Sequence, residues 1–235
     1  MNTGFYKDLD TNFELACEMS EKDFSHKELI EMLEFGNIPE RQIAALRLYD
    51  VLNESEADIL VDNLTGCDGK IREAVALRIN RFIFEDIKYA KMFSQAEIFA
   101  DASIDINANI CRLVIDSVSA LKQNEEFAKV YLKKILTFIN EAFQELDSFI
   151  FRDKKYVINK QLFKLYWCLE ALKLFAKDVD KVLLFSIIER SSKEREYTVR
   201  EKAAEIIAKT DDSMFDELKK TLQNDENYYV RAVFT

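Results

Sequence analysis

The feature that most constrains this fold is an apolar pattern that recurs at fixed offsets from one polar position. That reference position is held in turn by Arg41, Arg72, Asn107, Asn159, Arg200 and Arg231. The residues one before and three, four and seven after it are apolar wherever the chain reaches them, apart from Glu40 and Thr235. These offsets fall on one face of an α-helix, because about 3.6 residues make a turn. The pattern therefore predicts a series of helices that each bury the same stripe.

The scarcity of turn residues also favours helices. The chain has one proline, Pro39, and four glycines in 235 residues, whereas β-rich folds need many residues with special backbone angles. Ser25 with Glu28 and Ser94 with Glu97 match the capping box that begins a helix. We predict an all-α fold of helix pairs at 25–36 with 39–52, 55–65 with 70–84, 94–102 with 106–121, 124–148 with 156–176, 180–191 with 197–209 and 212–223 with 226–235.

The second helices of these pairs resemble those of HEAT-like repeats. Segments 71–79 (IREAVALRI), 198–207 (TVREKAAEII) and 224–233 (NDENYYVRAV) carry the family's pattern of an apolar residue, arginine and then small residues. Asp68 and Asp225 match its turn aspartate. The resemblance implies an α-α superhelix, a HEAT-like solenoid of about six helix pairs. It also implies that four arginines pair with turn carboxylates of neighbouring repeats, and we call them the ladder arginines: Arg41, Arg72, Arg200 and Arg231.

The middle of the chain departs from this pattern. Asn107 and Asn159 replace arginine, and the pair over 124–176 is long and rich in aromatic residues. We therefore predict an irregular middle with an enlarged aromatic helix pair at 124–176, and an N-terminal capping helix within 1–24. No linker rich in proline, glycine or serine divides the sequence, so we expect 1–235 to form a single domain.

Residues for common enzyme chemistry are scarce. His26 is the only histidine, so a multi-histidine metal site is excluded, and we expect it to be exposed at the start of a helix. Cys111 and Cys168 lie among apolar residues and are predicted core positions, while Cys17 and Cys67 lack a supporting motif. No glycine-rich phosphate loop is present. We therefore predict no catalytic, cofactor-binding or metal-binding residue and no cofactor, and we favour a non-enzymatic role.

The net charge of −10 disfavours general nucleic-acid binding, which uses a basic face. The sequence shows neither a secretory leader nor an apolar stretch long enough for a membrane helix, so we expect a cytoplasmic protein with reduced thiols. The last predicted helix is short, and the end of a solenoid needs a polar cap. We expect this C-terminal edge to be covered, by self-association, by a partner or by further residues.

Four arginines are candidates for partner binding. Arg47 and Arg78 each stand six residues after a reference position, with Arg81 and Arg112 nearby. They lie off the apolar stripe, on the flank that HEAT-like stacks turn toward their concave groove. The alternative is an ordinary solvated helix face.

The leading hypothesis is a non-enzymatic scaffold that binds a protein or peptide along the groove lined by the second helices. Two enzyme classes on similar stacks are alternatives. A HEAT-like phycobilin lyase or chaperone is one, although no lyase-specific motif is present. A HEAT-like alkylpurine DNA glycosylase is the other, but it needs a basic groove, which disagrees with the acidic composition.

Overall fold

The computed structural model describes residues 14–15, 17–148 and 155–235. Within these ranges all regular structure is helical, and the predicted all-α fold of helix pairs is confirmed. Contacts divide the chain into two compact units, 1–131 and 132–235, which we describe separately. That 1–235 forms a single domain stays a prediction.

The first unit consists of helix pairs. Its helices are α1 (His26–Phe35), α2 (Ile38–Arg47), α3 (Glu54–Asp62), α4 (Gly69–Glu85), the short α5 (Ile87–Ala90), α6 (Ala96–Ala102) and α7 (Ala108–Leu121). The next helix, α8 (Glu125–Ser148), begins in this unit and continues into the second. Residues 14–15 and 17–20 are also helical, and the rest of the predicted capping helix before them lies outside the described residues. The sequence did not predict α5.

Side-chain caps fix where these helices begin. Ser25 accepts the amide of Glu28 while the Glu28 carboxylate binds the Ser25 amide, so the predicted capping box at α1 is present. Asp68 caps α4 by accepting the amides of the second and third helical residues. The capping box predicted at Ser94 is wrong, because α6 begins after Gln95 and has no side-chain cap.

The second helices of the first unit pack side by side. Helix α2 contacts α4, and α4 contacts α7, while the first helices α1 and α3 also touch. The shared apolar stripe is buried here: Ala44, Val75, Ile79 and Val114 are at most 2% exposed. Alanines at two adjacent stripe positions, Ala44 and Ala45, let neighbouring helices approach closely.

The second unit repeats this arrangement with larger helices. It contains most of α8, then α9 (Lys155–Leu172), α10 (Lys181–Ser191), α11 (Tyr197–Thr210), a 3₁₀ turn (Ser213–Phe215), α12 (Asp216–Gln223) and α13 (Tyr228–Ala232). Helices α9, α11 and α13 are the second helices, and each packs on the next. Helix α8 has 24 residues and α9 has 18. Asn159 is the fifth residue of α9 and is exposed.

Candidate functional site

The ladder arginines occupy one equivalent place, the fourth residue of a second helix. From there each side chain turns back over the helix start and donates to carbonyls of the preceding turn. Arg72 Nη1 lies 2.7 Å from the carbonyl of Gly66, and Arg231 Nη1 lies 2.5 Å from that of Asp225. These contacts satisfy main-chain acceptors in a loop that packs against the core, and they hold the hairpin closed.

Two ladder arginines also form ion pairs with the turn of the following repeat. Arg72 Nε lies 2.6 Å from Oδ2 of Asp105, with Nη2 3.3 Å from Oδ1. Arg200 makes the same two-point contact with Asp225, at 2.7 and 2.9 Å. All four side chains are at most 10% exposed. The Arg200 guanidinium holds the pKa of the Asp225 carboxyl below its usual range.

The other two ladder arginines lack such a carboxylate among the described residues. Arg41 donates to the carbonyl of Gly36 at 2.7 Å and to Oδ1 of Asn63 at 3.2 Å, so an amide replaces the carboxylate. The Asn63 amide in turn donates to the carbonyls of Leu33 and Ile59. Arg231 binds carbonyls alone. All four ladder arginines thus hold turns, and a structural role remains our proposal for them.

The third repeat is offset from the sequence alignment by one helical turn. Asn107, predicted as its reference position, is instead the N-cap of α7. The fourth helical residue is Cys111, whose thiol donates to the carbonyl of Asp105 at 3.0 Å. The prediction that Ile106 lies on the buried stripe is therefore wrong, because its side chain is 83% exposed. Val114 stays buried, because a shift of four residues returns to the same helix face.

Arg47 and Arg78, two of the predicted partner-binding residues, are bound to main-chain carbonyls. Arg78 Nε lies 3.0 Å from the carbonyl of Ala45, and its Nη2 binds that of Leu46, at the end of α2. Arg47 donates to the carbonyls of Ser20 and Lys22. Position six after the reference thus faces the preceding helix, and cations there stabilise its carboxyl end.

Arg81 and Arg112 have exposed side chains. Arg112 donates to the side-chain oxygen of Asn109 at 3.1 Å, and Arg81 has no hydrogen bond or ion pair within the described part of the chain. Both side chains are exposed on second helices, as is that of Leu46 of α2, which is 45% exposed. We call these three residues the second-helix face.

Neighbouring second helices are also linked by polar side chains. The Asn80 amide donates to the carbonyl of Leu113 at 3.2 Å and to a carboxylate oxygen of Asp116 at 3.0 Å. Glu73 accepts from the Asn109 amide at 3.1 Å. These bonds fix α4 against α7 and so set the spacing of Arg81 and Arg112. Sequence reasoning missed them, since isolated asparagines carry no pattern.

The second unit carries a closed ring of charges between α9 and α11. Lys202 Nζ lies 2.8 Å from both Glu170 and Glu205, and Lys173 Nζ lies 2.8 and 2.6 Å from the same carboxylates. The Lys202 ammonium also lies 5.0 Å from the ring centre of Tyr166. Each charge in the ring is paired with an opposite charge, whereas Arg81 and Arg112 are not paired with a carboxylate among the described residues. A binding partner would therefore find less unpaired charge at the ring than at these two arginines.

His26 is less exposed than predicted. Its Nε2 lies 2.9 Å from a carboxylate oxygen of Glu56, and 17% of its side chain is exposed. The expectation of a solvated histidine is wrong, because α1 packs its first turn against α3 and because the ring meets Tyr49 edge-on at 5.7 Å.

The cysteines and carboxylates of the described residues do not form a cluster that could act as a metal site. Cys111 and Cys168 are buried as predicted, and burial raises the pKa of Cys111 to about 12. Cys17 and Cys67 are exposed. No group of three His, Cys, Asp or Glu residues that could hold a metal ion occurs in the described ranges. None of the described helices is long and apolar enough to cross a membrane.

The architecture consists of consecutive helix hairpins, with second helices packed in series within each unit and with Arg41, Arg72 and Arg200 tying one turn to the next. The fold is of the armadillo/HEAT repeat type. No protein-family model matches the sequence, and no curated protein matches it.

Several solved helical repeat structures resemble this chain. Two engineered proteins align over 90% of it and over 94% and 96% of their own length, with 13% and 14% identity and TM-scores of 0.47 and 0.48. A designed armadillo repeat protein in complex with the peptide (KR)4 aligns over 89% of this chain and 96% of its own, with 10% identity and a TM-score of 0.48.

Proposed function

We propose that this chain is a non-enzymatic scaffold that binds a protein or peptide partner along its second helices. The supporting observation is the second-helix face of the first unit, Leu46, Arg81 and Arg112. It combines an exposed apolar side chain with two exposed guanidinium groups that have no carboxylate partner among the described residues. Arginine is enriched at protein interfaces, and it is enriched among the residues that contribute most of the binding energy.

The packing of the helices supports this assignment. Bonds from Arg78 to α2 and from Asn80 to α7 hold three second helices in a fixed series, so the face is preorganised. A rigid face loses little conformational entropy when it binds. Arg47 and Arg78 donate to main-chain carbonyls, so we assign the contact with a partner to Arg81 and Arg112.

The test is affinity capture from the native cytoplasm with quantitative mass spectrometry. We expect the double variant Arg81→Glu with Arg112→Glu to lose partners that the natural sequence retains. The control is Lys27→Glu with Lys129→Glu, which makes the same change in net charge on exposed first-helix lysines. If both double variants captured the same amounts of the same partners, the second-helix face would not be the binding surface. Retention of DNA or a pigment in place of a protein would contradict the scaffold itself.

We also propose self-association through the face of α13. Tyr228 and Tyr229 are 66% and 58% exposed, and Tyr229 stacks on Tyr197 with ring centres 6.0 Å apart. Exposed tyrosines are favoured in interfaces because they bury much area at low entropic cost. Sedimentation velocity should show concentration-dependent dimers that Tyr228→Ser with Tyr229→Ser abolishes. A monomer at all concentrations would contradict this contact.

A further inference from the structure

An open cleft of about 720 Å³ lies in the first unit, between residues 53–55 at the start of α3 and residues 87–92. We call it the edge cleft. Ile87 and Met92 supply apolar lining, and Glu54, Lys88 and Lys91 supply charged groups. Its volume lies within the range of protein ligand sites, roughly 300–1,000 Å³.

Large apolar side chains are exposed in the two chain segments that border this cleft. Tyr49, Leu52, Phe84 and Ile87 are 65%, 59%, 54% and 78% exposed. Asp50 joins the two segments that carry them, because it accepts a hydrogen bond from the Tyr89 hydroxyl and pairs with Lys88 at 3.6 Å. The two segments that carry these exposed residues are therefore held next to each other, and we call the exposed residues the apolar patch. Apolar patches of this kind mark interaction sites in soluble domains.

The first unit is acidic as a whole, although the lining of the cleft carries Glu54 together with Lys88 and Lys91. Residues 1–131 contain 25 aspartates and glutamates against 14 lysines and arginines, so this unit carries all of the chain's excess negative charge. Glu54, Glu85 and Asp86 are exposed near the cleft, and Lys88 is already paired with Asp50. Lys91 is the exposed cation that remains on the lining. This field attracts a cationic partner.

We propose that the edge cleft docks a basic amphipathic helix of a partner protein. Its apolar stripe would cover Leu52, Phe84 and Ile87, and its lysines or arginines would meet Glu54, Glu85 and Asp86. A helix fits better than an extended strand, because no strand edge exists in the described residues for a peptide to extend. The cleft uses residues other than the second-helix face, so the two proposals can fail separately.

The probe is a fluorescent synthetic helix of about 18 residues with leucines at amphipathic spacing and lysines elsewhere. Two matched peptides serve as controls, one with glutamate in place of lysine and one with serine in place of leucine. Fluorescence anisotropy should show saturable binding of the leucine–lysine peptide to the intact chain, weaker as salt increases. The two control peptides should bind at least about tenfold more weakly.

Variants then locate the binding. Ile87→Ser with Leu52→Ser should weaken the leucine–lysine peptide about tenfold, because two apolar anchors are lost. Glu54→Lys with Glu85→Lys should also weaken it, whereas Lys91→Glu should strengthen it severalfold. Val182→Ser is the matched control, since Val182 is an apolar residue of α10 that is 77% exposed. Circular dichroism verifies that each variant is folded.

Three results would overturn the proposal. The first is equal or tighter binding of the leucine–glutamate peptide, which would show that the cleft does not select a basic partner. The second is an unchanged affinity in Ile87→Ser with Leu52→Ser, or an equal loss in Val182→Ser, which would place the peptide elsewhere. The third is a concentration-dependent dimer that the Ile87→Ser change dissolves, which would make a second copy of this chain the occupant.

Discussion

Arg200 and Asp225 form a two-point ion pair that joins consecutive hairpins of the second unit. The guanidinium Nε and Nη2 atoms lie 2.7 and 2.9 Å from the two carboxylate oxygens, and each side chain is 9% exposed. Nη1 of the same arginine also binds the carbonyls of Glu194 and Arg195. One side chain therefore ties the turn before α11 to the turn before α13.

We expect Arg200→Ala to destabilise the protein by about 3–5 kcal/mol, because it leaves a buried carboxylate without its partner. Arg200→Lys should recover only part of this loss, since an ammonium cannot make both contacts. Urea unfolding followed by circular dichroism measures the change. Arg195→Ala is the control, an exposed arginine of the same turn that should stay within about 0.5 kcal/mol. Similar losses for Arg195→Ala and Arg200→Ala would contradict the role of the pair.

The same pair predicts a pH dependence. The hydrogen bond from Arg200 lowers the pKa of Asp225 in the folded state below its ordinary value near about 3.9. The contribution of the ion pair to the free energy of unfolding is therefore fully present at pH values above that ordinary pKa, and it is lost as the pH falls through the folded-state pKa of Asp225. We expect the stability difference between the natural chain and Asp225→Asn to be constant near neutrality and to shrink below about pH 4. Asp178→Asn, at an exposed aspartate, is the control; a stability difference for Asp225→Asn that persists in acid would contradict the assignment.

Thiol labelling should divide the four cysteines into two classes. Cys17 and Cys67 are exposed, whereas Cys111 is buried and its raised pKa, about 12, leaves little thiolate at neutral pH. We expect iodoacetamide to modify Cys17 and Cys67 in the native protein and to reach Cys111 and Cys168 after unfolding. Peptide mass spectrometry measures each site. Rapid native modification of Cys111 would show that the start of α7 opens.

The pattern of apolar residues was sufficient to predict the helix pairs, because each stripe must be buried by a neighbouring helix. It located the buried alanines Ala44 and Ala203 in their helices. It failed at Asn107, because a shift of one helical turn preserves the same stripe, and an asparagine followed by Ala-Asn-Ile is equally consistent with an N-cap. The local cap was the signal that could have corrected the register.

The candidate site could be predicted less well. Arg47, Arg78 and Arg81 all lie off the apolar stripe. Helix periodicity places Arg78 and Arg81 less than one turn apart on α4, and it places Arg47 at the position of α2 that is equivalent to Arg78. Their roles differ because Arg47 and Arg78 meet the end of a preceding helix, whereas Arg81 meets solvent. That distinction depends on the packing between repeats, which a single helix pattern does not contain. The exposed patch around Ile87 was missed because it lies where helices end.

Asn63 offers the complementary test of the ladder. It stands opposite Arg41 as Asp105 and Asp225 stand opposite their arginines, but its amide also donates to the carbonyls of Leu33 and Ile59, at 3.1 and 2.9 Å. Asn63→Asp would create an ion pair with Arg41. It would also place a buried carboxylate oxygen against the two carbonyl oxygens that the amide now donates to, and these oxygens would repel each other. Asn63 is 6% exposed, so solvent would offset little of that repulsion.

We therefore expect Asn63→Asp to destabilise the chain by about 1–3 kcal/mol at neutral pH, the cost of unpaired buried polar groups. The loss should diminish in acid, because a protonated carboxyl can donate to one of the two carbonyls. Asn53→Asp is the control, since Asn53 caps α3 through its side-chain oxygen and aspartate caps equally well. Urea unfolding at neutral and acid pH measures both. A stabilised Asn63→Asp would show that the charge on the ladder outweighs the two amide bonds, because only the ion pair with Arg41 could produce that gain.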